Sequence, residues 1–201
     1  MGSGARLRWT VVAGCVLVAI SAGVLTACGA DPDAITSSIP TTVTAPPPGQ
    51  AEDFRATAAD FTNIHDMTPV RGFFVDNRLG HLAEAVAMAK ANKGGIYPVG
   101  TILQLVPQEV MVKRRKGWNP ATKDWEFFFL DIDAKGTTIV TRGADEVVNR
   151  FGGNCASCHQ QAKAKYDLVC ENSHGCDPLP IDHTVIEAIQ AGDPRPLAPP
   201  S

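Results

Sequence analysis

The chain lacks any long block of basic residues. Its densest run is Lys113-Arg114-Arg115-Lys116, so nothing in it is built to track a nucleic-acid backbone, and such a run reads as a solvated strand end. No acidic residue precedes Asp31, and no charge interrupts the stretch from Trp9 to Leu25. Arg6 and Arg8 stand just before that stretch. A basic segment followed by an apolar run is the pattern of an export signal. The run falls short of the ~20 apolar residues that suit a membrane-spanning helix.

The apolar run ends in Leu25-Thr26-Ala27-Cys28-Gly29. Small residues around one cysteine resemble a bacterial lipobox, in which Cys28 becomes the lipid-carrying first residue. The alternative is an uncleaved anchor with an incidental cysteine. Residues 1–27 are therefore read as a lipoprotein signal peptide, with the protein at the periplasmic or extracellular face of a bacterial membrane. The segment after it is rich in Thr, Ser, Pro and Asp and holds Pro46-Pro47-Pro48-Gly49. Residues 28–50 read as an extended tether, because so little apolar surface cannot drive folding. Residues 51–191 are expected to form one domain of ordinary size. The last ten residues, 192–201, contain four prolines and are expected to form a disordered tail. Without Arg6 and Arg8, 16 basic residues face 21 acidic ones, a net charge of −5.

The six cysteines sort by position. Cys15 lies in the signal and Cys28 at its end. Cys170 and Cys176 are expected to pair, since disulfides persist in exported proteins. Cys155-Ala156-Ser157-Cys158-His159 carries the spacing of c-type haem attachment. The two-residue spacer lets one turn of chain bring two thiols to the two haem vinyl groups, and the adjacent histidine can ligate the iron. One covalent haem c is thus expected on Cys155 and Cys158, with His159 as proximal ligand. Two other readings compete. A thiol–disulfide redox motif would follow a βαβ pattern, and Phe151-Gly152-Gly153-Asn154 offers none. A four-thiolate zinc site would need Cys170 and Cys176 as a close second pair. With a haem in view, the Lys113–Lys116 run becomes a second candidate, for a propionate or partner contact.

No methionine follows Met111, so the usual partner across the haem of electron carriers is missing downstream of the motif. Met67, Met88 and Met111 precede it and read as packing residues. His65 and His81 read as surface or capping residues, and His174 and His183 follow closely on the motif. The expectation is an iron with an open or weakly filled sixth position.

Periodicity predicts helices over Phe54–Ile64 and Arg78–Ala91, then strands over Thr101–Val106, Glu109–Arg115, Asp124–Ile132 and Thr137–Thr141, and a short helix over Thr184–Gln190. The class is α+β: an antiparallel sheet with two N-terminal helices and a short C-terminal one. Alternation sends Phe127 and Phe129 to one face of their strand and Phe128 to the other.

Four stretches in order resemble the cytochrome P-460 family, which includes the β-sheet cytochromes c′. They are Arg71-Gly72-Phe73-Phe74-Val75-Asp76-Asn77, Tyr97-Pro98-Val99-Gly100-Thr101, Trp125-Glu126-Phe127-Phe128, and Phe151 through Cys176. The resemblance implies an antiparallel sheet wrapping a c-type haem, usually in a homodimer of the cell envelope. It implies either binding of small gases such as nitric oxide or oxidation of hydroxylamine, the latter with a lysine cross-linked to the haem. The lysine position aligns with Leu105, which cannot form that bond. Phe127, Phe129 and Leu105 are the candidates to line the distal pocket. A plain electron carrier, with a redox partner the residues do not name, is the remaining alternative.

Overall fold

The computed structural model describes residues 52–199, so the signal, lipid-anchor and tether readings lie outside the described residues. One antiparallel sheet organises the rest: β1 (Thr68–Val70), β2 (Phe73–Asn77), β3 (Thr101–Val106), β4 (Glu109–Lys113), β5 (Trp125–Asp133) and β6 (Gly136–Gly143), each beside the next in chain order. Three helices accompany it: α1 (Leu82–Ala91), α2 (Cys155–His159) and α3 (His183–Ala191). The α+β class holds. No helix among the described residues is long and apolar enough to cross a membrane.

The register builds two cores. Val75, Leu103, Met111 and Phe127 are neighbours across four strands and share one face. Phe74, Val110 and Phe128 lie on the other with Ile102 and Leu130. This is the two-residue period of a pleated strand turned into two apolar layers. The first layer takes in α1 through Ala85 and Ala89, and α2 through Cys155 and Ala156. The second is covered by Ala56, Phe61, Ile64 and Met67 from the N-terminal segment.

Several expectations need correction. Phe54–Ile64 is not an α-helix; it holds only a 3-10 turn at Ala58–Asp60, with a second at Ile64–Asp66. Tertiary pairing overrides the periodicity. Asp53 is drawn to Arg114 at 2.8 Å, and the Asp60 carboxylate takes the Thr57 N–H at 2.7 Å, closing a short turn instead. The second helix begins at Leu82 rather than Arg78, because the Asn77 side-chain oxygen accepts the N–H groups of Leu79 and His81 and holds a turn there. β1 and β2 were not expected as strands. They form a hairpin whose two-residue turn, Arg71-Gly72, has positive φ at both positions, the twist-matched geometry for such a loop.

Lys113 and Arg114 are not solvated: both are buried, and only Arg115 and Lys116 of that run are exposed. Arg114 bridges Asp53 and Glu126, and Glu126 also binds Arg142 at 2.7 Å.

The C-terminal stretch is not a loose tail through residue 199. Buried Arg195 donates to the Phe61 carbonyl at 3.0 Å, and Asn63 donates to the Arg195 carbonyl at 2.6 Å. The Asp193 carboxylate takes the Ile64 N–H at 2.9 Å and pairs with Arg195 at 2.7 Å. Burial alone would raise the Asp193 carboxyl, but Arg195 and the backbone donors outweigh it and hold it below the ordinary 3.8. A depressed folded value means stability that is present above the unfolded value and lost as pH falls through the folded one. Asp193→Asn is therefore expected to cost about 2 kcal/mol at neutral pH. Thermal melts should show the gap to wild type narrowing steadily below pH 3.8.

Candidate functional site

Asn154 starts the haem-motif helix: its side-chain oxygen accepts the Ser157 N–H at 2.9 Å, a standard N-cap. α2 is then a single turn carrying Cys155, Cys158 and His159. The Cys155 N–H donates to the Val147 carbonyl at 3.0 Å, which ties the turn to the segment leaving β6. Cys155 is buried and Cys158 half-buried, and the two thiols are free rather than bonded to each other. Burial raises both thiols, Cys155 to about 12, with the Glu109 carboxylate and Cys158 adding to the effect. Asp177 adds to the shift at Cys158. A redox-active pair is tuned the opposite way, toward the thiolate. Cys170 and Cys176 form the expected disulfide, so the two thiols that a four-cysteine zinc site needs are already committed.

His159 is positioned from two sides. Its Nδ1 donates to the Leu168 carbonyl at 2.7 Å, and the Phe127 ring lies 5.2 Å from its own. Burial lowers its pKa, against a smaller opposing effect of the Leu168 bond. The neutral form is thus favoured, with the proton on Nδ1 and the lone pair on Nε2 free, which is the ligating state of a metal-bound histidine.

The Leu168 carbonyl is available because Asp167 and Leu168 both adopt left-handed backbone, at φ 53° and 62°. Several bonds enforce this. The Asp167 carbonyl accepts from Trp125 Nε1 at 2.6 Å, and its carboxylate accepts from Lys113 Nζ at 2.7 Å and from the Tyr97 N–H at 2.9 Å. All four residues are buried. Burial raises the Asp167 carboxyl and lowers the Lys113 amine, each against the pull of its partner. Nothing in the sequence had marked Asp167. It follows the haem motif at an irregular distance and belongs to no helix or strand.

Phe127, Phe129 and Leu105 share the sheet face that holds Cys155. Phe127 is buried against His159, while Phe129 and Leu105 remain half-exposed. Glu109, opposite Phe129 across the strands, is half-buried, and burial raises its carboxyl. The Gln190 side chain of α3 donates to the Leu105 carbonyl at 2.7 Å and fixes that part of β3.

The other histidines are engaged elsewhere. His65 meets the Gln190 carbonyl and the Phe74 ring on the far side of the sheet. His81 faces Glu52, and His183 is exposed at the start of α3. His174 is buried, donates from Nδ1 to the Val169 carbonyl, faces the Asn92 amide with Nε2, and stacks on Tyr166 at 3.6 Å. Met67 belongs to the second core; Met88 and Met111 lie in the first. The donor set of α2 suits a c-type haem: two unbonded thiols on one turn and an imidazole with its ligating nitrogen free. No family model, curated protein or solved structure matches the chain.

Proposed function

We propose that the protein is a monohaem c-type cytochrome of the cell envelope, with its haem held by Cys155 and Cys158 and its iron by His159. One observation carries this reading. Two free thiols and an imidazole with Nδ1 already bonded to Leu168 lie on a single helical turn. A haem bound there would supply iron able to take a small ligand and a one-electron couple. The resemblance to cytochrome P-460 and the β-sheet cytochromes c′ supports the same reading, and an antiparallel sheet of six strands agrees with the sheet that the resemblance implies.

The chain's own residues divide the work. Leu168 orients the imidazole and Phe127 buttresses it. Leu105 and Phe129 offer hydrocarbon on the same face, which suits a neutral diatomic such as nitric oxide. Hydroxylamine oxidation of the cross-linked kind is disfavoured. Leu105 is unreactive, and the Lys113 amine is spent on both Asp167 oxygens and the Lys123 carbonyl.

The test is the absorption spectrum of the ferrous protein with and without nitric oxide, after expression in a host that attaches c-type haem. A clear shift on adding the gas is expected. A stable six-coordinate spectrum in both oxidation states, indifferent to the gas, would contradict the open axial position.

A further inference from the structure

An open groove of about 610 Å³ lies beside the loop that positions His159, with Tyr97, Asp167 and Ala164 in its wall. Five basic and two acidic side chains line it. Lys113 and Asp167 neutralise one another, and Arg114 is neutralised by Asp53 and Glu126. The Asp124 carboxylate is occupied by the N–H groups of Gly117 and Asn119. Lys116 and Lys165 are left exposed on the rim, while the half-buried Lys123 donates its amine to the Ala164 carbonyl. Ile96, 75% exposed, lies among them. This concentration of positive charge stands out in a chain whose net charge is −5 without its signal arginines. Gly94 and Gly95 shape the groove's edge. The Gly95 N–H donates to the Lys165 carbonyl at 2.8 Å, and a side chain at Gly94 would collide with that carbonyl.

A short connection runs from the groove wall to His159. Tyr97 packs edge-to-face on Trp125 with centroids 5.6 Å apart. Trp125 donates to the Asp167 carbonyl, and the next carbonyl, Leu168, accepts from His159. One ring pair, one peptide unit and two hydrogen bonds therefore separate the groove from the imidazole.

We propose that this groove is the docking face for an electron-transfer protein with an acidic surface. Lys116 and Lys165 meet its carboxylates and Ile96 supplies the apolar centre, the arrangement of charged rim and apolar core that specific interfaces use. The partner is a one-electron carrier; it is oxidised when it gives an electron to this protein and reduced when it takes one, and no bond forms or breaks. The purpose of docking rests on the cytochrome reading, whereas docking itself does not require the haem.

Lysine acetylation of the mature chain, read residue by residue by mass spectrometry, tests the proposal with an acidic [2Fe–2S] ferredoxin as probe. At low salt the probe should slow acetylation of Lys116 and Lys165 severalfold and leave Lys135, at the β5–β6 turn, unchanged. Binding should weaken at least ~10-fold in the Lys116→Glu, Lys165→Glu double variant and on raising the salt to about 0.2 M. No binding at low salt, equal protection of Lys135, or unchanged affinity in the variant would each overturn it. Haem content is measured on the same sample. Protection of the groove in a haem-free chain would sink the cytochrome reading and leave docking standing; a haem-loaded chain without protection would do the reverse.

Discussion

Serine at both Cys155 and Cys158 is expected to abolish covalent haem attachment completely, while each single serine leaves one thioether and a shifted absorption band. The oxygen of serine cannot take the place of the thiol in the addition to a vinyl group, and no other free thiol occurs among the described residues. The same substitutions separate the competing chemistry. A dithiol redox centre needs a ready thiolate, yet burial pushes Cys155 up to about 12. Alkylation of the unattached chain at neutral pH should accordingly be slow at Cys155. Rapid alkylation there, together with haem content unchanged in the double variant, would reverse the assignment. His159→Ala belongs to the same experiment: it should keep the thioethers and shift the haem absorption bands, because attachment and ligation are separate duties of adjacent residues.

Asp167→Ala is expected to be the most damaging substitution away from the haem motif. It strands the buried Lys113 amine, removes the acceptor of the Tyr97 N–H, and frees the left-handed turn that presents the Leu168 carbonyl to His159. Breaking a buried pair by removing one partner costs about 3–5 kcal/mol, since the surviving charge stays desolvated. For a domain of this size that is a fall in melting temperature of roughly 10–20 °C. Calorimetry on the variant checks it. Replacing both partners, as Lys113→Met with Asp167→Leu, should recover most of the loss, because no charge is then left unpaired. A double variant no better than the single one would mean that the Tyr97 and turn contacts, rather than the ion pair, hold this region.

The disulfide and strands β3 to β6 were legible in the sequence because local chemistry dictates them. Cysteine spacing, alternation from Trp125 to Leu130, and the Ala134-Lys135-Gly136 turn each act within a few residues. β1 and β2 were not, because their turn is Arg71-Gly72 rather than an Asn-Gly or Asp-Gly pair. Arg71 holds its positive φ with help from far along the chain: its guanidinium donates to the Ala89 carbonyl at 2.6 Å and to both Glu171 oxygens. The N-terminal helix failed for a related reason. Phe54, Ala58 and Phe61 have helical spacing, but Asp53 finds Arg114 sixty-one positions away, and that pairing decides the backbone. The candidate site was half legible. Cys155, Cys158 and His159 announce themselves; the carbonyl that fixes the tautomer of His159, and the Asp167 network that fixes the carbonyl, depend on contacts with β4 and β5. Alternation alone sent Phe127 and Phe129 to one face and Phe128 to the other, whereas the contact of Phe127 with the imidazole needed the position of α2.

The most direct measurement is extraction of the purified, denatured protein with acidified organic solvent, beside an intact mass of the same sample. Thioether bonds survive that treatment, so the account predicts that all colour stays with the polypeptide and that its mass exceeds the bare chain by one haem. Colour passing into the solvent, or a colourless protein from a host that matures such haems, would contradict it.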